Sequence, residues 1–237
     1  MYAIWAATGA ISALPAGTVL RGQVARLSVR SGEPDEVSCQ QCAAPLPERP
    51  AVRCGHCGQW LGALLAIELT AAAVAALLIA RFGPNPYVAA FAYLGVLGVA
   101  LTQVDMAVRR LPDRLTLPAY PAVVALLAIA AVAGGDSASF ERAMLGGAAL
   151  AVCYLIFGLV SGGQLGGGDV KLAGLIGLVL GWLGWGTLVL GAAAGFVLAA
   201  IAGVALLAAG KASRRTLISF GPYMLWGALL AMLAGAS

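Results

Sequence analysis

Two of the ten carboxylates in this 237-residue sequence stand where charge is most costly. Asp105 follows the apolar run 96–104, and Asp169 lies in Gly166-Gly-Gly-Asp-Val-Lys171, just before another apolar run. Ionisable groups beside membrane-length hydrocarbon are expensive and usually functional. Two carboxylates within a few Å of each other cannot both ionise cheaply, so their titrations split and one proton is shared. Such a pair can hydrolyse a peptide bond. The ionised member takes a proton from water while the protonated member donates to the scissile carbonyl oxygen. The glycines before Asp169 let backbone and substrate approach, because no Cβ intervenes. Taken singly, each aspartate is also explained by helix capping or by pairing with an arginine. Of the other acids, Glu68 and Asp113 stand near apolar runs, whereas Glu33, Asp35, Glu36, Glu48, Asp136 and Glu141 lie in polar stretches.

A second constellation is Cys39-Gln-Gln-Cys42 and Cys54-Gly-His-Cys57, two Cys-x-x-Cys pairs separated by eleven residues. Four thiolates at this spacing suit a tetrahedral structural zinc, with a glycine-containing knuckle that lets backbone amides point at sulfur. One or two disulfides are the alternative. A cytosolic position for this segment, argued below, keeps thiols reduced and favours the metal. His56, the sole histidine, reads as a bystander inside the second knuckle, although it offers an alternative ligand. Cys153, among apolar neighbours, reads as a buried packing residue.

The elements that must position these residues are membrane spans. The sequence is 61% hydrophobic and 10% charged, with a mean hydropathy of +0.94. A water-facing surface of a large soluble domain cannot be made from that composition. Hydropathy predicts eight helices, roughly 2–20, 61–80, 87–106, 115–133, 143–161, 170–184, 186–209 and 217–234. The one long polar insert runs from about Arg21 to Gln59. The first apolar run has no basic residue before it, and Arg21, Arg26 and Arg30 follow it. It therefore reads as a retained helix with its N-terminus outside, not as a cleaved signal. In that orientation twelve of the 14 Lys and Arg residues fall on the cytoplasmic side, and only Arg81 and Arg142 fall outside. Asp105, Asp169 and the cysteine insert then share the cytoplasmic end. The expectation is an all-α polytopic membrane protein with about eight transmembrane helices and a small cytoplasmic zinc-knuckle insert.

The segment Asp105-Met-Ala-Val-Arg-Arg-Leu-Pro-Asp113-Arg-Leu-Thr-Leu-Pro118 resembles the first active-site motif of type IV prepilin peptidases, an aspartate ahead of a Leu/Ile-Pro-Asp-x-Leu-Thr-x-Pro string. Gly166-Gly-Gly-Asp169-Val-Lys-Leu172 resembles the second, the Gly-x-Gly-Asp found in several intramembrane aspartic proteases. Phe220-Gly-Pro-Tyr223 is similar to the family's C-terminal signature, and 17–27 to its first helix exit. The resemblance implies Asp105 and Asp169 as the catalytic pair, supported by Gly166, Gly168, Asp113 and Lys171, with no metal in the peptidase site. Asp113 would anchor a loop, and Lys171 would steady ionised Asp169 or hold a lipid phosphate. It implies a division into an N-terminal domain, 1–80, which carries the cysteine insert of about 21–59, and a peptidase membrane domain, 87–234. Prepilin or pseudopilin leaders would be the substrates, at the cytoplasmic membrane of a bacterium. Membrane lipid is the other expected partner, and nucleic acid is not expected. Family members with such a cysteine domain often also methylate the new N-terminus with S-adenosylmethionine, and Glu68 matches a glutamate after their cysteine pairs. A catalytically inactive membrane assembly factor of a pilus or secretion system is the other reading. A transporter would place its charges nearer the bilayer midplane.

Overall fold

The computed structural model describes residues 39, 41, 42, 44, 54–58, 66–161, 165–210 and 219–235. Among the described residues the chain is all-helical, with seven helices: α1 Ala66–Phe82, α2 Val88–Val108, α3 Asp113–Gly134, α4 Ser137–Val160, α5 Gly167–Leu183, α6 Trp185–Ala208 and α7 Gly221–Ala234. Four of them, α2, α3, α4 and α6, are long and apolar enough to cross a membrane. The predicted first span, 2–20, and residues 61–65 of the second lie outside the described residues.

Helix α5 is the hub. Every residue from Leu172 to Trp182 is buried, and it touches α2, α3, α4, α6 and α7. A helix apolar on all sides is stable in such a place because each face finds an apolar partner. Its neighbour α4 buries only a stripe, Ser139, Ala143, Gly146, Gly147, Leu150 and Tyr154, and turns that stripe to α5. Within lipid no hydrophobic force draws helices together, so close van der Waals contact must do so. Gly177 shows how close: a Cβ there would lie 2.5 Å from the Gly146 carbonyl oxygen. Gly227 of α7 serves α6 in the same way, since its Cβ would meet the Gly195 amide nitrogen at 2.4 Å.

Two expectations change. Cys153 is exposed, not a buried packing residue, because it lies outside the α4 stripe beside exposed Val152, Leu155 and Ile156. Apolar sequence neighbours mark the lipid-facing side of a helix as readily as its packed side. Helix α4 also starts six residues before the predicted span. Asp136 caps it by accepting from the Ser139 amide at 3.0 Å, so the helix includes a polar first turn that hydropathy discards.

Candidate active site and cysteine cluster

Helix α2 stops abruptly. Arg109 adopts the left-handed conformation, φ 54° and ψ 40°, and its amide closes on the Asp105 carbonyl at 2.8 Å. It is the one described non-glycine residue with positive φ. Asp105 is thereby fixed in the last turn of α2, and it is buried, 4% exposed. The chain then runs through Leu111 and Pro112 into α3, whose N-cap is extended Pro112 and whose first residue is Asp113.

Asp169 stands in the first turn of α5. Its Oδ2 accepts from the Gly166 amide at 3.1 Å, and its own amide donates to the Gly166 carbonyl at 3.0 Å. This reciprocal pair sets the helix start. Of the supporting glycines, Gly168 is sterically required: a Cβ would sit 2.8 Å from Leu111 Cβ and 3.4 Å from the Leu111 amide nitrogen. Gly166 has ordinary extended geometry, and a Cβ on Gly167 meets nothing within 4 Å. The contact of Gly168 with Leu111 joins the two aspartate-bearing segments.

The same junction is clamped from α3. Lys171 Nζ donates to Asp113 Oδ1 at 2.6 Å, and Tyr120 donates its hydroxyl proton to the Lys171 carbonyl at 2.7 Å. The Tyr120 hydroxyl occupies the notch left by Gly174, where a Cβ would be 2.1 Å from it. The Lys171 ammonium is thus engaged with Asp113, not with Asp169. Asp113 is a first-turn helix residue that ties α3 to α5.

A third segment enters that the sequence reading left without a role. Asp105 Oδ2 accepts from the Ser219 hydroxyl and, at 3.1 Å, from the Gly221 amide at the start of α7. A Cβ on Gly221 would lie 2.8 Å from that oxygen, so glycine alone permits the approach. Phe220, between them, packs on Phe196 and Tyr154, with ring centroids 5.2 and 6.1 Å away. The signal was present: a helix-start serine ahead of Gly-Pro marks the opening of a helix. Its target, Asp105, is 114 positions away in sequence. Glu68 lies in the first turn of α1 and is 1% exposed.

The four cysteines of the insert are free thiols brought together. Cys39 Sγ lies 3.6 Å from Cys57 Sγ, Cys42 Sγ lies 3.6 Å from Cys54 Sγ, and all four are within 4.8 Å of one another. A tetrahedral site with metal–sulfur bonds of about 2.3 Å requires sulfurs about 3.8 Å apart. The amides of Cys57 and His56 turn toward Cys54 and pull its thiol down to about 6, and those of Gln41 and Cys42 lower Cys39. Against the Ala44 amide, burial and the neighbouring thiols push Cys42 up to about 12, as close thiols without a metal share their protons unequally. Thiolate character is what metal binding needs. The donor set can hold one metal ion, and exposed His56 is not among its members.

Residues 91–210 match the type IV leader peptidase family. A Burkholderia pseudomallei protein named prepilin leader peptidase/N-methyltransferase is 34% identical over 190 residues, which is 77% of this chain and 59% of that protein. The protein of the same name from Aeromonas hydrophila is 33% identical over 202 residues, 84% of this chain and 63% of its own length. That from Stutzerimonas stutzeri is 34% identical over 142 residues, 58% of this chain and 46% of its own. The chain therefore spans less than two thirds of the length of these relatives. No solved structure matches it. The match covers α2 to α6 and both aspartates, and on it the chain belongs to the type IV leader peptidase family.

Proposed function

We propose that the chain is a membrane aspartic endopeptidase that removes leader peptides from type IV prepilins or pseudopilins at the cytoplasmic membrane face. The observation that carries this reading is the contact of Leu111 with Gly168, which sets the segment that follows Asp105 at the end of α2 against the start of α5, where Asp169 stands. One carboxylate, ionised, takes a proton from a water whose oxygen attacks the scissile carbonyl carbon. The other donates its proton to the carbonyl oxygen, giving a neutral gem-diol. Collapse of the diol returns one hydroxyl proton to the carboxylate that gave its own and breaks the C–N bond, while the newly protonated carboxyl passes its proton to the leaving amine. Each member of the pair must therefore be in the opposite protonation state to its partner, which close carboxylates achieve without outside help.

The reading carries with it an eight-span chain with its N-terminus outside and its site facing the cytoplasm, divided into 1–80 and 87–234. A basic leader then stays in the cytoplasm while the apolar helix of the substrate occupies the bilayer. Zinc held by Cys39, Cys42, Cys54 and Cys57 would stabilise the insert. Methylation of the new N-terminus with S-adenosylmethionine, near Glu68, is the second activity that the relatives' name supports.

The test is cleavage of a co-expressed prepilin in membranes. Asp105→Asn and Asp169→Asn each lower the rate on the order of 10³-fold, with unchanged protein levels. Normal processing by either variant ends the two-carboxylate reading, and no processing by the wild-type chain favours an inactive assembly factor. For the insert, purified protein carries one zinc per chain, and the Cys39→Ser/Cys54→Ser variant carries none. Disulfide-linked cysteines in freshly isolated membranes would contradict both the metal and the orientation.

A further inference from the structure

We infer that Ser219 is a positioning residue of the peptidase site: together with the Gly221 amide it holds Asp105 as the ionised base of the pair and leaves the shared proton on Asp169. The inference rests on the two-aspartate reading above and adds a division of labour to it.

The argument starts from one oxygen. Asp105 Oδ2 receives both the Ser219 hydroxyl and the Gly221 N–H. An amide N–H can only donate, so the oxygen facing it is an acceptor, and the hydroxyl that shares this oxygen is a donor as well. Two donors on a single carboxylate oxygen favour the charged form over the neutral acid. Among the described residues Asp169 receives one donor, the Gly166 amide. Helix ends do not separate the two acids. Asp169 stands in the first turn of α5, Asp105 faces the first turn of α7, and the α2 C-terminus opposes charge on Asp105. Each of these dipole effects is weaker than a charge-assisted hydrogen bond. Burial opposes charge on Asp105, which is 4% exposed, more than on partly exposed Asp169, and the Ser219 hydroxyl is the added donor that offsets it.

The geometry also chooses the reacting oxygen. With Oδ2 occupied twice, Oδ1 of Asp105 accepts no hydrogen bond from the described residues and is the oxygen available to take a proton from water. Ser219 is itself held in place from one side. Phe220 is packed into the cluster of Tyr154 and Phe196, so the start of α7 cannot drift from Asp105 without breaking aromatic contacts.

The experiment uses purified full-length protein and a detergent-solubilised prepilin with its leader intact. Ser219→Ala lowers kcat roughly 10- to 100-fold, as expected for loss of a hydrogen bond to a charged group, and leaves KM and the thermal midpoint unchanged. Ser219→Thr, which keeps the hydroxyl, restores most of the rate. Should the alanine variant not fold, Ser219→Cys keeps the volume with a weaker donor and replaces it. Infrared spectroscopy locates the proton through the protonated-carboxyl band that vanishes in the Asp105→Asn/Asp169→Asn double variant. With the Ser219 donor gone the hold on Asp105 is lost, so the proton redistributes between the two carboxyls and that band shifts in Ser219→Ala, while Ser219→Thr keeps it in place. A wild-type kcat in Ser219→Ala, an equal loss in Ser219→Thr, or a band unmoved in Ser219→Ala overturns the inference. If the single Asn variants cleave normally, the two-aspartate reading itself has failed.

Discussion

At one end of α5 the polar groups are saturated, and at the other they are left partly open. At the C-terminal end Arg142 donates to the Gly181 carbonyl at 2.9 Å, to the Trp182 carbonyl at 2.7 Å and to Ser139 at 2.8 Å. Nearby, Asp136 caps α4. Arg81 does for α7 what Arg142 does for α5, donating to the Leu233 carbonyl at 3.2 Å. At the N-terminal end of α5, Asp169 accepts a single backbone bond, Asp105 concentrates two on one oxygen, and the remaining oxygen of each takes none from the described residues. A purely structural end satisfies every carbonyl, because an unmet buried acceptor costs about 1–3 kcal/mol. On the proposed reading, the end that binds water and a peptide keeps acceptors in reserve.

The contrast can be broken first at the saturated end. Arg142→Met removes the donors to two helix-terminal carbonyls and is expected to cost about 3 kcal/mol, read from thermal unfolding in detergent, while cleavage per folded molecule is retained. If cleavage falls in step with Asp105→Asn, the two ends are not separable and the comparison fails. A smaller effect sharpens the open end. Gly168→Ala forces Leu111 away and should cost about 2 kcal/mol and lower cleavage, whereas Gly167→Ala, with open space around its Cβ, leaves both unchanged. Equal behaviour of the two variants would remove Gly168 from the site. The smallest effect is at the α4 cap. Asp136→Ala costs about 1 kcal/mol. The Ser139 hydroxyl and amide hold the Asp136 carboxyl below its usual range, so its contribution is present above an unfolded-state value of about 3.9 and is lost as pH falls through the lower folded value. Wild type and Asp136→Ala should therefore converge in stability in strong acid and differ at neutral pH. A difference independent of pH would show that the charge of the cap is irrelevant.

Much of this was legible in the chain. The apolar runs gave the helices because a helix in hydrocarbon must satisfy its own backbone, and length with hydropathy nearly suffices to find one. The cysteine spacing anticipated a four-thiol cluster, because short knuckles bring sulfurs together locally. Asp105 and Asp169 stood out because carboxylates at the ends of such runs are rare. Helix starts were less legible: α4 begins in a polar turn, and Cys153 shows that hydropathy cannot tell lipid from core.

Sequence by itself determined the helical class, the long apolar helices and the thiol cluster, since each follows from composition or from spacing within a few residues, and it singled out the two acids by their place at the ends of apolar runs. Only the tertiary structure decided which residues surround those acids. The pairing of Lys171 with Asp113 across 58 positions, the seat of Leu111 on Gly168 and the approach of Ser219 to Asp105 across 114 positions all depend on how α5 is enclosed by its neighbours. No local pattern encodes such contacts, because the energy that selects them is the close packing of glycine-faced helices far apart in the chain.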